Sequence, residues 1–202
     1  KHASPIAGAG WLVASAMAIG DMIAVADDRK KKRARAIALI DYANTKAWAR
    51  GKGLSIDMQA LHRALGGAGV SDVRFYYGSD PGSATIFSFF KKLESFGYAV
   101  ITKPVQYFRI TLSELLAQAV NMRWLNVVDV TLKENLQREA SRLDGEGIEL
   151  LAPKANFDVE ITVDALRHVA DTEIFILFSG DGDFAYLVKE LKMLGKRVTV
   201  VS

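Results

Sequence analysis

Cysteine is absent from the 202-residue sequence, and proline and histidine are scarce, at four and three residues. Without cysteine there is no disulfide, no thiolate metal site and no cysteine nucleophile. A reducing, cytoplasmic interior fits that composition. His2, His62 and His168 lie far apart without ligand spacing. Any bound metal would therefore be held mainly by oxygen, which favours magnesium or manganese over zinc. What the chain does have is apolar mass. Hydrophobic residues make up 50%, which suits one globular domain with a substantial core.

A general excess of positive charge is also lacking, although the formal net charge is +3. The run Arg29–Arg35, RKKKRAR, supplies six of the 26 basic residues and leaves 20 against 23 acidic ones elsewhere. Such a run is a solvated flank or a contact for nucleic acid or anionic lipid. Before it, Ala3–Gly20 is an uncharged stretch of 18 residues, the minimum length of a membrane span. It is rich in Ala, Gly and Ser, contains Pro5 and runs into Asp21, so it is weakly hydrophobic. A packed or partner-binding helix is the expectation for residues 1–28, ahead of a membrane span or a signal sequence.

From residue 36 the pattern alternates. Short, continuous apolar runs at 36–40, 73–77, 98–102, 174–178 and 197–201 read as strands. Helical spacing appears over 56–65, 84–96, 158–170 and 183–194. Continuous rather than alternating apolar strands, separated by helices, predict an α/β fold with a parallel sheet covered on both faces. Two capping-box signatures, Thr111-Leu-Ser-Glu114 and Thr131-Leu-Lys-Glu134, predict helices over about 112–125 and 132–143. These interrupt the alternation as an inserted helical hairpin, the insert spanning about 105–153. The predicted organisation is an extension over 1–35 and a domain over 36–202.

Within that frame, carboxylates collect where strands end. Ligands of open parallel sheets bind at the carboxyl ends of the strands. Asp41 follows the first strand, and Ser179-Gly-Asp181-Gly-Asp183-Phe follows the fourth. Asp158 opens a helix and so belongs to the same edge. Taken singly, Asp158 and Asp183 could be helix caps, with Asn156 a competitor for the first. Asp41 lacks that explanation, because Tyr-Ala-Asn after it gives no clear helix signal. Crowded carboxylates repel one another unless a cation or shared proton compensates, and capping does not explain why they cluster. Asp164, six residues beyond Asp158, lies about 9 Å along the helix and is rotated by about 240°, so both cannot face one ion. It is a candidate for an outer shell or for binding a basic partner. Gly180-Asp-Gly182-Asp-Phe-Ala185 also fits a dinucleotide fingerprint, but carboxylates replace the positive potential that a pyrophosphate needs.

The segments IALIDYANTK, RFYYG, ITKPV, KANFDVEITVDAL and ILFSGDGDFAYLVKELKMLGKRVTVV resemble, in that order, the NYN domain in its LabA-like branch, within the PIN-like nuclease superfamily. The resemblance covers about residues 36–104 and 153–202. It implies a Rossmann-like, PIN-like five-stranded sheet of order 3-2-1-4-5 and a metal-dependent ribonuclease using Mg²⁺ or Mn²⁺ on RNA. Carried over by motif, Asp41, Asp158, Asp181 and Asp183 form the acidic set, accompanied by Asn44 and Asp164. Asp41 and Asp181 are expected as the central ligands, with Asp158 and Asp183 binding directly or through water, and Ser179, Asn44 and Lys154 as contacts to phosphate oxygens, Asn44 alternatively orienting a ligand. Two rival readings keep the fold: a non-catalytic RNA-binding or regulatory module, and an oligomeric interaction protein using residues 1–28 and 112–143.

Overall fold

The computed structural model describes residues 35–121 and 129–202, except for the side chains of 118–121. The expected N-terminal helix and all of the basic run but Arg35 lie outside the described residues. In chain order the elements are β1 (Ala36–Asp41), α1 (Tyr42–Gly51), α2 (Met58–Gly67), β2 (Val70–Tyr76), α3 (Ala84–Phe96) and β3 (Ala99–Ile101). There follow β4 (Gln106–Thr111), α4 (Leu112–Asn121), α5 (Val130–Gly145) and β5 (Glu149–Lys154). The chain then returns through α6 (Asp158–Arg167), β6 (Ile174–Phe178), a 3₁₀ turn (Gly182–Phe184), α7 (Ala185–Met193) and β7 (Arg197–Val201). No helix among the described residues is long and apolar enough to cross a membrane.

Five strands form one parallel sheet in the order β3-β2-β1-β6-β7. Counted without the two strands of the insert, that order is 3-2-1-4-5. The central strands β1 and β6 are buried at every position. This is why their sequences read as unbroken apolar runs, each large side chain contributing roughly 1.5–3 kcal/mol on burial. Successive residues of β2 serve opposite faces. Phe75 packs with Tyr42, Phe89 and Tyr98 on one side. Tyr76 meets Phe157 and Asp164 on the other. Gly97 closes α3 in the left-handed region (φ 102°), where an added Cβ would lie 2.8 Å from the His62 ring.

One helix was not expected. Residues 42–51 form α1 directly from the end of β1, with Asp41 as its N-cap accepting the Asn44 backbone N–H. Asp41 thus has the capping explanation that its sequence context withheld.

The chain divides into two compact units, one continuing through Pro104 and resuming at Asn156, the other Val105–Ala155. The second unit is more than a pair of helices, because β4 and β5 pair antiparallel from Gln106–Lys154 to Thr111–Glu149. The first capping box forms as expected: Thr111 and Glu114 exchange backbone-to-side-chain bonds of 2.9 and 3.2 Å. At α5 the expected Thr131 cap is displaced by Asp129, which accepts from the N–H groups of Thr131 and Leu132, so that helix starts at Val130.

Candidate metal centre

The carboxyl ends of β1 and β6 are tied together by one hydroxyl. Thr45, buried in the first turn of α1, directs its Oγ1 to the carbonyl oxygens of Asp41 (2.6 Å) and Phe178 (3.1 Å). The sequence reading passed over Thr45. Its signal is the threonine four residues after a strand-ending aspartate, where a helical turn brings Oγ1 back to that carbonyl.

Beside this clamp, Asp41 is only 5% exposed. Asn44 Nδ2 donates to its Oδ2 at 2.6 Å, and Ser179 Oγ lies 3.4 Å from the same oxygen. Burial pushes the Asp41 carboxyl above its ordinary value, the Asn44 bonds pull it down, the negative charge of Asp158 pushes it up again, and Ser179 lowers it slightly.

After β6 the chain turns on its own side chains. The Asp181 N–H donates to buried Ser179 Oγ (3.2 Å), and Asp181 Oδ1 accepts the Asp183 N–H (3.0 Å). Asp181, not Asp183, is therefore the cap of the following turn, and buried Phe184 anchors that turn in the core. At α6 the N-cap position is Phe157, also buried, and Asn156 Oδ1 takes the Asp158 N–H at 2.9 Å. The competition foreseen between Asn156 and Asp158 is thus resolved in favour of Asn156. The Asp158 carboxylate does not cap its helix.

The result is a group of three. Asp158, Asp181 and Asp183 each offer a carboxylate oxygen, and these oxygens lie within 4.8 Å of one another. Among the described residues no Lys or Arg forms an ion pair with Asp41, Asp158, Asp181 or Asp183. Hard oxygen donors at this separation suit a divalent cation with metal–oxygen distances of about 2.0–2.6 Å. The donor set is carboxylate oxygen alone, without histidine. Asp41, expected as a central ligand, is not one of this group of three; its carboxylate is engaged by Asn44 and Ser179.

The remaining sequence candidates are placed as follows. Asn44 and Ser179 bond to Asp41. Lys154 ends β5 in the second unit, where it pairs with Gln106. Asp164 faces β2: Arg74 Nη1 and Tyr76 OH both donate to its Oδ2 at 2.9 Å, with Arg167 3.7 Å from the other oxygen. Because Arg74 must donate, His168 Nε2 accepts from it (3.0 Å), and the histidine proton rests on Nδ1, 2.7 Å from the Asp164 carbonyl. Burial and the neighbouring Asp164 carboxylate push the Tyr76 hydroxyl well above its ordinary range.

A family model described as the NYN domain matches residues 35–202. The chain belongs to the NYN domain family. A curated relative, the low amplitude and bright protein LabA of Synechococcus elongatus, is 41% identical over 49 residues, which is 24% of this chain and 26% of that protein. The chain thus matches about a quarter of that relative's length, and the match lies with the LabA-like branch of NYN domains. In fold, the chain is similar to the crystal structure of a protein of unknown function from Vibrio parahaemolyticus, with a TM-score of 0.55 at 20% identity, covering 83% of this chain and 80% of that one. The NYN domain falls within the PIN-like nucleases, and the acidic group lies on the sheet edge where an α/β fold of this order binds ligands.

Proposed function

We propose that this NYN domain is a metal-dependent ribonuclease that hydrolyses RNA phosphodiester bonds at the carboxyl edge of its sheet. The observation that carries the reading is the trio Asp158, Asp181 and Asp183, each offering a carboxylate oxygen within 4.8 Å of the others, with no cationic side chain among the described residues paired to any of them. These three residues would hold Mg²⁺ or Mn²⁺, with Asp41 completing the acidic set from its buried position. Once bound, such an ion acidifies a coordinated water and neutralises charge on the phosphate and the leaving oxygen.

The protein's own contribution is positional. Thr45 fixes the ends of β1 and β6 against each other. Ser179 fixes Asp181 through its backbone N–H, and Asn44 fixes Asp41. Phe157 and Phe184 set the depth of the segments that carry Asp158 and Asp183. A purely RNA-binding module gains nothing from a trio of carboxylates facing phosphate, since each repels the ligand until an ion is bound.

The test is incubation of single-stranded and structured RNA with the protein in Mn²⁺ or in EDTA, alongside Asp181→Asn. Cleavage that needs Mn²⁺ and is lost in the variant supports the reading. Cleavage that persists in EDTA or in Asp181→Asn would sink it.

A further inference from the structure

The edge that carries the acidic group also carries cations, and they divide into two kinds. Lys103, after β3, is already neutralised: its Nζ lies 2.6 Å from Glu160 Oε1 and 4.8 Å from the centroid of the Phe157 ring. Lys46 and Arg50 on α1 differ. Both are exposed, and among the described residues neither has a carboxylate ion-pair partner. Helix α1 contains no Asp or Glu at all.

Tyr42, Lys46 and Arg50 are four residues apart, so they form one slanted ridge on α1, its members about 6 Å apart along the helix axis. The ridge begins at the sheet edge, because Tyr42 follows Asp41 directly. It is ordered there by aromatic packing. Tyr42 and Tyr77 meet edge to face at 5.1 Å and 82°, and Lys46 Nζ lies 5.8 and 5.9 Å from their ring centroids. Tyr77 belongs to the same place, since Asp41 pairs in register with Tyr76. Two rings of negative face potential therefore hold an ammonium, without a carboxylate partner among the described residues, on the helix that starts at Asp41.

A cation on the helix that leaves the carboxyl edge, held by rings and not by a carboxylate, suits a ligand that brings its own negative charge at regular intervals. We infer that the ridge Tyr42–Lys46–Arg50 binds the backbone phosphates of single-stranded RNA flanking the bond to be cut, Lys46 taking the phosphate nearer the acidic group and Arg50 the next. The inference rests on the ribonuclease reading for its substrate, and gives the strand a path from the carboxyl edge along the flank of α1.

The probe is a short fluorescent single-stranded RNA, titrated by anisotropy against the full chain and a Lys46→Gln/Arg50→Gln variant, in Ca²⁺ and over a series of salt concentrations. Both positions are exposed, and an unchanged melting temperature checks that the variant is folded. The double variant is expected to bind about tenfold more weakly. Its slope of log affinity against log salt should fall by about 1.4, at about 0.7 per lost phosphate contact on a single strand. Phosphate contacts made elsewhere, including any made by the basic run at 29–35, are common to both proteins and cancel in that difference. Equal affinity and slope, or no binding by the unmodified chain, overturns the inference and leaves the ridge to a partner other than RNA. The two readings fail separately. Ridge-dependent binding without Mn²⁺-dependent cleavage removes the nuclease and keeps the ridge, whereas Asp181-dependent cleavage with ridge-independent binding does the reverse.

Discussion

Helix α6 carries an aspartate at each end, and the two have opposite surroundings. Asp164, in its last turns, is met by Arg74, Tyr76 and Arg167, so its charge is compensated within the fold. Asp158, in its first turn, faces Asp181 and Asp183 and has no ion-pair partner among the described residues. In sequence the two are the same residue type, six positions apart on one helix. Their surroundings fix the first against the sheet and leave the second uncompensated, and the proposed metal site rests on that difference.

That division can be attacked from both ends. Asp158→Asn or Asp181→Asn should lower Mn²⁺-dependent cleavage by about a hundred- to a thousandfold, roughly 3–4 kcal/mol in barrier, in a single-turnover assay. Neither should lower the melting temperature, since each removes like-charge repulsion. Asp164→Ala should do the opposite. Removing a largely buried partner of Arg74 is expected to cost about 3 kcal/mol in denaturant unfolding, while cleavage at a temperature where the variant is folded stays within about threefold of normal. A variant at 164 that unfolds no more readily than the parent would break the comparison.

Asp41 lies between these cases and gives the smallest effect. Its carboxyl is raised above its ordinary value of 3.8, chiefly by burial, so the fold disfavours the ionised form. The penalty is fully present above the raised folded-state value, and it is relieved as pH falls through that value towards 3.8. Asp41→Asn should therefore be more stable than the parent near neutral pH, by about 2–4 °C if the change is ~1 kcal/mol in a domain of this size. The advantage should vanish in acid. Thermal unfolding of both proteins from neutral to acid pH checks this, and equal melting temperatures at neutral pH would contradict it.

The parallel sheet was legible because β1 and β6 are buried on both faces and must be apolar throughout. The capping box at Thr111 was legible for a similar reason, since its chemistry is local. Helix α1 was hidden because Tyr-Ala-Asn-Thr carries little helical periodicity, and its start depends on Thr45 bonding across to Phe178, far away in sequence. Strands β4 and β5 were hidden because they are mostly exposed and are defined only by pairing with each other. Within the acidic group, the strand ends placed Asp41 and Asp181 at one edge. Which oxygens converge was decided by side chains that sequence cannot orient: Asn156 relieved Asp158 of capping, and Asn44 and Ser179 engaged Asp41.

The most direct test of the account is a calorimetric titration of Mn²⁺ into the unmodified chain, Asp158→Asn and Asp164→Ala. The account predicts saturable binding to the unmodified chain, its loss in Asp158→Asn and its retention in Asp164→Ala. Undiminished binding by Asp158→Asn, or its loss in a folded Asp164→Ala, would contradict the division between the two ends of α6.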